Sequence, residues 1–355
     1  MWMPPRSSPG SCTDDAPAAV GEGWAPMIVG LIVALGVVAP RQRPTPTDTL
    51  RLAAVGDINL GRRLARARLL DGDTLYAFRA VRELLAADIT FGNLESPIAP
   101  DASQPSDTGI VFAAPRLAAV ALARAGFAIV STANNHAWDA GQAGVTETMR
   151  QLTRAGVRFV GSGFGRDMAE QPVILERRGW RVAFFGVTRA WNPAPYTFYQ
   201  HAGANWIAWG QPAWIYPAIG ALRASGRADL IIVSVHGGQE YVDQPPDYLR
   251  EFLHGLVDAG ADLVLAHHPH VLQPVVWYQG KPIVQSLGNF VFVQDDPWTR
   301  LSVILRIVVT PDRRMRLSAI PVRVGAQPTL ATGAAADSVH RRFHLPLSTP
   351  TVSKP

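Results

Sequence analysis

Short apolar runs alternate with amphipathic stretches along most of the chain, and several runs stop abruptly at polar residues. Leu50-Arg51-Leu52-Ala53-Ala54-Val55 breaks at Gly56-Asp57. Asp88-Ile89-Thr90-Phe91 leads into Gly92-Asn93-Leu94-Glu95, and Phe127-Ala128-Ile129-Val130-Ser131 into Asn134-Asn135-His136. Leu230-Ile231-Ile232-Val233-Ser234-Val235 ends in His236, and Asp262-Leu263-Val264-Leu265-Ala266 ends in His267-His268-Pro269-His270. Runs of this length predict buried strands. Helical stretches are predicted over 75–86, 115–125, 140–155, 213–223 and 247–259, the third closed by Gly156. Further β runs cover 158–161, 173–176 and 181–185. A hairpin is predicted around Gln279-Gly280, and closing antiparallel strands over 301–309 and 315–324. Alternating strands and helices predict an α/β sheet, and the later β runs add a second one. The expected fold class is a two-sheet α/β sandwich of four layers, with helices on the outer faces.

The folded domain is expected over 50–325. A polar leader, 1–23, is expected to be disordered, and 41–49 is a Pro-rich linker. Residues 326–355 are rich in Ala, Thr and Pro and are expected to form a flexible tail. Residues 24–40 are apolar and uncharged, with Arg41 and Arg43 behind them. This is the short limit for a spanning helix, and it also matches the core of a signal peptide. A membrane-anchored or exported protein of the cell envelope is expected. The trailing arginines favour a cytoplasmic domain, whereas the rest of the reading favours the outside. Residues 191–216, rich in Trp, Tyr and Pro, are expected to lie over the site.

Composition narrows the function classes. The chain is 48% hydrophobic and 17% charged, enough apolar content for a sizeable core. The net charge of +5 is diffuse, and no dense basic run with interleaved aromatics marks a nucleic-acid partner. The single cysteine, Cys12, excludes an internal disulfide framework and a thiolate metal site.

The run ends supply the candidate chemistry: Asp57, Glu95, Asn135 with His136, His236, and His268 with His270. In an open α/β sheet the carboxyl ends of strands are where ligands bind. Each residue alone has a bland explanation. Asp after a strand is a common helix cap, an Asn-Asn-His run makes turns, and a lone histidine closing an apolar strand is usually a core residue. Together at successive strand ends they point to a site of oxygen and imidazole donors, which suits Zn, Mn or Fe. Two such ions would stand ~3.5–4 Å apart and lower the pKa of a bound water. Alternation on an extended chain pairs His268 with His270 and turns His267 away, to a supporting role.

These residues resemble the CapA family of capsule and poly-γ-glutamate biosynthesis proteins, within the calcineurin-like metallophosphoesterase fold. The matching motifs are Gly56-Asp57 with Gly61-Arg62, Asn93-Leu94-Glu95 and Phe112-Ala113-Ala114-Pro115. They continue with Asn134-Asn135-His136 plus Asp139 and Gly141, and His236 plus Glu240-Tyr241. The last are His268-Pro269-His270-Val271 with Gln273-Pro274, and Ser286-Leu287-Gly288-Asn289-Phe290. The resemblance implies a metallo-dependent phosphatase-like sandwich with two divalent ions. Asp57, Glu95, Asn135, His236, His268 and His270 would be ligands, with Glu95 as the bridge. His136 would serve the leaving group, and Arg62, Arg63, Glu240 and Tyr241 would meet substrate. Asn59, Asp139, His267 and Asn289 would support the ligands. Three positions depart from the pattern. Asn59 stands where metallophosphoesterases carry a histidine, Glu95 where they carry an aspartate, and Gly237 where the CapA-like motif usually has tryptophan. The implied partner is an anionic polymer such as poly-γ-glutamate, handled with a membrane synthetase complex. A phosphoester substrate, or a non-catalytic metal- or polymer-binding role, is the alternative.

Overall fold

The computed structural model describes residues 46–99, 111–190, 192 and 206–347. The apolar segment 24–40, the leader, most of the linker and residues 193–205 of the aromatic segment lie outside the described residues. No helix among the described residues is long and apolar enough to cross a membrane.

Alternating burial along β1 (Leu50–Ile58) shows how the layers arise. Leu52 and Ala54 enter one apolar cluster, and Ala53 and Val55 enter another on the opposite face. β1 runs parallel to β2 (Ile89–Leu94), which is followed outward by β3 (Ile129–Ser131) and β4 (Arg158–Val160). On its other side β1 pairs antiparallel with β14 (Leu301–Val309), then β15 (Met315–Arg323) and β16 (Thr329–Leu330). The short β13 (Asn289–Val291) joins the carboxyl end of β1 in parallel. The second sheet has the order β11 (Leu272–Tyr278), β12 (Lys281–Leu287), β10 (Leu263–His267), β9 (Leu230–His236), β7 (Trp180–Thr188) and β6 (Val173–Arg177). Its central strands are parallel and buried on both faces, so they read as continuous apolar runs. The expected hairpin is present, and Gln279 and Gly280 both take positive φ (48° and 71°) at its turn. A two-stranded ribbon, β5 (Ser162–Gly163) with β8 (Trp206–Ile207), stands apart.

The two sheets face each other across one apolar layer. Phe91 on β2 stacks on Phe184 on β7 at 5.7 Å across that layer, worth about 0.5–1.5 kcal/mol beyond area burial. Helices α1 (Arg63–Leu70), α2 (Arg82–Leu85) and α3 (Leu117–Ala125) cover the first sheet. Helix α4 (Gly141–Arg154) packs beside them through Leu152 and reaches Trp138 and Ile207 through Val145 and Met149. Helix α5 (Arg166–Ala169) and the longer α6 (Pro212–Ala224) and α7 (Asp247–Asp258) cover the second sheet. The expected four-layer sandwich is the observed architecture.

Two expectations are corrected. The helix predicted over 75–86 is split into a 3-10 turn (Tyr76–Phe78) and α2, because Asp73 Oδ1 accepts from the amides of Leu75 and Tyr76 and starts a tight turn. The flexible tail expected over 326–355 instead carries β16 and an eighth helix, α8 (Ala334–Phe343). Val339 and Phe343 stand four residues apart on α8, and with Leu345 they are buried in the layer between the sheets. One narrow apolar stripe in an Ala/Arg background is enough to seat this helix against β11 and β15.

Candidate metal centre

The site forms where the carboxyl ends of both parallel sets meet. In the first sheet Asn289, Asp57 and Asn93 stand in register on β13, β1 and β2. In the second, Thr188, His236 and His267 do the same on β7, β9 and β10. The β1 ladder is irregular between Ala54 and Asp57. There Gly56 meets the β12–β13 junction so closely that a Cβ would lie 1.9 Å from Gly288 O. The irregularity re-aims Asp57 towards the seam between the sheets. Asp57 N donates to Gly288 O (2.9 Å), and Glu95 N donates to Ile58 O (2.9 Å).

Asp57 and Glu95 are fully buried. Asn93 Nδ2 donates to Asp57 Oδ1 at 2.8 Å and lies 3.1 Å from His236 Nδ1. The carboxylate can only accept, so it fixes the orientation of the Asn93 amide, and His236 Nδ1 is the acceptor. His236 Nε2 then donates to Asn135 Oδ1 at 2.7 Å. Asn289 also anchors a ring, that of His270, but as acceptor. Its Oδ1 lies 2.8 Å from His270 Nδ1, while its Nδ2 faces Gln294 Oε1 (2.8 Å) and the Thr299 carbonyl (3.5 Å). Two acceptors on one side require the NH2 group there, so His270 carries its proton on Nδ1. That leaves His270 Nε2 with a lone pair 3.8 Å from Glu95 Oε1. Anchoring one ring nitrogen to orient the other is how ligating imidazoles are held.

The alternation argument fails at the histidine run. β10 ends at His267, and His268 (φ 99°) and His270 (φ 60°) take positive backbone angles. His267 therefore does not turn away. Its Nδ1 lies 3.5 Å from Asp57 Oδ1, and its ring packs 6.0 Å from Phe91. His268 and His270 reach the centre from the turn that follows, with His268 N donating to Asp57 Oδ2 at 3.3 Å.

Electrostatics separates the two carboxylates. Burial opposes ionisation of Asp57, but the rings of His267 and His270, each 3.5 Å away, outweigh it and hold Asp57 well below the usual carboxylate range. Burial, and then the Asp57 charge, push Glu95 well above that range. Burial, and then His268 beside it, pull His236 well down. Burial, and then His270, pull His268 to about 3. Both are thus neutral; His268 Nδ1 has a lone pair to offer an ion, whereas His236 ligates only by giving up one of its two hydrogen bonds, to Asn93 or to Asn135. Burial also opposes a charge on His270, yet its contact with Asp57 raises it above the ordinary value.

Glu95 carries the clearest sign of a cation site. Among the described residues, neither of its buried oxygens has a hydrogen-bond partner, and His268 Nδ1 has none either. A buried carboxylate left so is costly unless a cation pairs with it. Two donor groups converge on it: Asp57, Glu95 and His236, and Glu95, His268 and His270. In each, the ligand atoms lie within 4.8 Å of one another. Oxygen and imidazole donors without thiolate fit a divalent ion.

Around this centre, His136 Nδ1 lies 2.7 Å from Asp139 Oδ2, and its Nε2 lies 4.0 Å from Glu95 Oε1. Asp139 also accepts from Phe112 N at 2.6 Å, and the Phe112 ring lies 4.0 Å from that of His136. The Arg62 guanidinium also lies over the Phe112 ring, at 5.8 Å. Arg63 instead faces Asp295 at 3.6 Å. Tyr241, half exposed, has its ring 6.1 Å from His270, and burial and neighbouring Glu240 push its phenol up to about 12. Asn59 is buried, and its Oδ1 accepts from Gly61 N (3.0 Å). Asn135 Nδ2 donates to Asn192 Oδ1 (2.9 Å).

The motifs named in the sequence contain Asn93, Asn134 and Phe112 but assign them no role, and Gln294 lies outside those motifs. A role for Asn93 was within reach, because strand alternation along β2 puts Asn93 on the side of Glu95. Asn134 Nδ2 holds the Leu94 carbonyl (2.8 Å) and Asn93 Oδ1 (3.3 Å), which ties β3 to β2 beside the centre.

Residues 51–294 match the family model described as bacterial capsule synthesis protein PGA_cap. The PGA biosynthesis protein CapA of Bacillus subtilis is 31% identical over 265 residues, covering 74% of this chain and 67% of that protein. The capsule biosynthesis protein CapA of Bacillus anthracis is 32% identical over 286 residues, covering 78% and 68%. The matched span holds every residue of both donor groups, from Asp57 to His270. The chain belongs to the bacterial capsule synthesis protein family.

Proposed function

We propose that this protein acts in the synthesis, transport or anchoring of an anionic envelope polymer of the poly-γ-glutamate class, through a centre that holds two divalent ions. The observation that carries this reading is Glu95, buried, without a side-chain hydrogen bond among the described residues, and shared by both donor groups. Asp57, Glu95 and His236, with Asn135 beside them, would hold one ion, and Glu95, His268 and His270 would hold the other. Mn, Fe or Zn suits these donors. The Bacillus relatives are named for capsule and PGA biosynthesis, which supports the polymer class. The protein works at the cell envelope, exported or anchored through residues 24–40, beside a membrane synthetase.

When bound, such ions polarise a substrate oxygen and lower the pKa of a bound water. The chain's own residues do the rest. Asn93 orients Asp57, and Asn289 orients His270. Asp139 holds His136 Nδ1 so that Nε2 faces the Glu95 side, where it gives or takes a proton at a leaving group. Arg62, spread over Phe112 beside His136, meets an anionic group of the substrate.

Metal analysis of the purified, Mn-loaded protein tests the centre. Two ions per chain are expected, with both lost in Glu95→Gln and one in His268→Ala, each folded by circular dichroism. A wild-type protein that retains no Mn, Fe or Zn would sink the reading. A second reading, phosphoester hydrolysis, is favoured by the His136–Asp139 pair beside Glu95. Screening phosphate mono- and diesters with Mn tests it. Turnover abolished by His136→Asn supports it, and no turnover of any ester excludes it.

A further inference from the structure

Helix α8 touches two loops that lead towards the centre, through Arg342. Arg342 on α8 donates to Asp243 Oδ1 at 2.7 Å, and its guanidinium lies 4.4 Å over the Trp298 ring. Asp243 belongs to the segment 237–246 between β9 and α7. Trp298 belongs to the 3-10 turn Pro297–Arg300 that leads into β14. One side chain therefore bridges two loops that are far apart in sequence.

Those loops also meet directly, near the surface. Gln294 Nε2 donates to Tyr241 Oη at 3.1 Å. Gln294 Oε1 accepts from Asn289 Nδ2 at 2.8 Å, and Asn289 Oδ1 accepts from His270 Nδ1 at 2.8 Å. The Tyr241 backbone N–H donates to Pro269 O at 2.9 Å, beside His270, and Gln273 Nε2 holds Val242 O at 2.9 Å. An unbroken line of hydrogen bonds thus runs from half-exposed Tyr241 to the ring of His270. The Arg342 bridge holds the two loops on which that line depends.

We infer that Arg342 is a positioning residue for the metal centre: from the C-terminal helix it clamps the loops carrying Tyr241 and Gln294, and so keeps His270 in its ligating orientation. Arg342 and Trp298 lie outside residues 51–294, the span matched by the family model, and Asp243, Tyr241 and Gln294 lie within it. An exposed ion pair alone adds little stability, and Asp243 is largely exposed. What the guanidinium supplies is a fixed geometry, with Asp243 at its edge and the Trp298 ring against its face. A lysine keeps the charge but not the planar stack. The effect on metal affinity rests on the two-ion reading, whereas the effect on His270 does not.

The test compares wild type with Arg342→Ala, Arg342→Lys, Gln294→Ala and the Arg342→Ala/Gln294→Ala pair, all in the full chain. Imidazole NMR of the metal-free protein reads how fast the His270 Nδ1 proton exchanges. Titration with Mn²⁺ reads the affinity. The expected result is faster His270 exchange in Arg342→Ala, partly restored in Arg342→Lys. Mn²⁺ binding should weaken by about 2- to 30-fold, the range for mutations that act at a distance. In the Gln294→Ala background, Arg342→Ala should add little, because the line is already cut. A fall in melting temperature with unchanged His270 exchange would overturn the proposal and leave Arg342 a structural residue. Full additivity in the double variant would also overturn it. Absence of Mn²⁺ binding in wild type would overturn the two-ion reading alone, and the exchange measurement would still decide the clamp.

Discussion

The first sheet brings the carboxylates to the centre and the second brings the imidazoles, and the two sides are built differently. On the carboxylate side Asp57 lies within β1 and Glu95 directly follows β2, both held through their backbones, and Asp57 also by the Asn93 amide. On the imidazole side only His236 and His267 lie in strands. His268 and His270 stand in a turn with positive backbone angles, steadied by Asn289 and the loops beyond it. Strand ends fix a carboxylate cheaply because hydrogen bonding already immobilises the backbone. A turn can aim two rings at one point that alternation would never bring together, but its conformation must be maintained by surrounding contacts. The carboxylate side is therefore expected to tolerate little change in backbone, and the imidazole side to respond to distant side chains.

The largest effect should come from the seam itself. Gly56→Ala puts a Cβ 1.9 Å from Gly288 O, a backbone atom that cannot step aside. A loss of about 4 kcal/mol or more in urea unfolding is expected. A loss under about 1 kcal/mol would mean that β1 and the β12–β13 junction part easily, and that the carboxylate side is not rigid. Next is Glu95→Gln, which removes the shared oxygen donor. Both ions should be lost, while the metal-free fold at pH 7 gains about 1–3 kcal/mol, because a carboxyl whose pKa is raised on folding costs stability above its unfolded pKa and a glutamine does not. A metal-free variant less stable than wild type would argue that Glu95 has a structural role.

Two amide variants sharpen the contrast between the sides. Asn93→Ala frees Asp57 and should weaken one of two Mn²⁺ binding steps by about 10–100-fold. Asn289→Ala frees His270 and should weaken the other step similarly. If both variants weakened the same step, the assignment of separate donor groups would fail. The smallest effect is expected far from the centre. Asp229, at the amino end of β9, takes 2.8 and 3.1 Å hydrogen bonds from Arg181. Burial opposes its ionisation, but Arg181 holds its pKa below the ordinary value. A depressed carboxylate stabilises the fold above its unfolded pKa, and that contribution is lost as pH falls through the folded one. Asp229→Asn should therefore cost about 1 kcal/mol near neutrality, with the melting-temperature gap to wild type closing in acid. Mn²⁺ binding should not change.

Much of this fold was legible along the chain. The buried parallel strands announce themselves as unbroken apolar runs such as Leu230–His236, and β1, β2, β9 and β10 all lead into the polar residues expected of them. The hairpin at Gln279-Gly280 and the antiparallel pair β14 and β15 were equally plain. What escaped was short or sparse. The 75–86 helix broke because one aspartate caps a tight turn, a contest decided over three residues. The C-terminal helix was hidden because its apolar stripe is only Val339 and Phe343, too thin to stand out from an Ala/Arg background. The orientation of His267 was misjudged because the alternation rule assumes an extended chain, and the chain leaves the strand at that residue.

The sequence by itself determined the layers, the strand order of ligand-type residues, and the oxygen-and-imidazole character of the site, because periodicity and residue chemistry are local properties. Only the tertiary structure decided which donors share a neighbourhood. Asp57 and His268 are 211 residues apart and meet only because two sheets stack. Glu95 becomes common to two groups because it sits at their seam. Arg342 reaches Asp243 and Trp298 because a buried phenylalanine and valine bring its helix there. Such meetings depend on sheet packing and on turn angles, which no short stretch of sequence specifies alone.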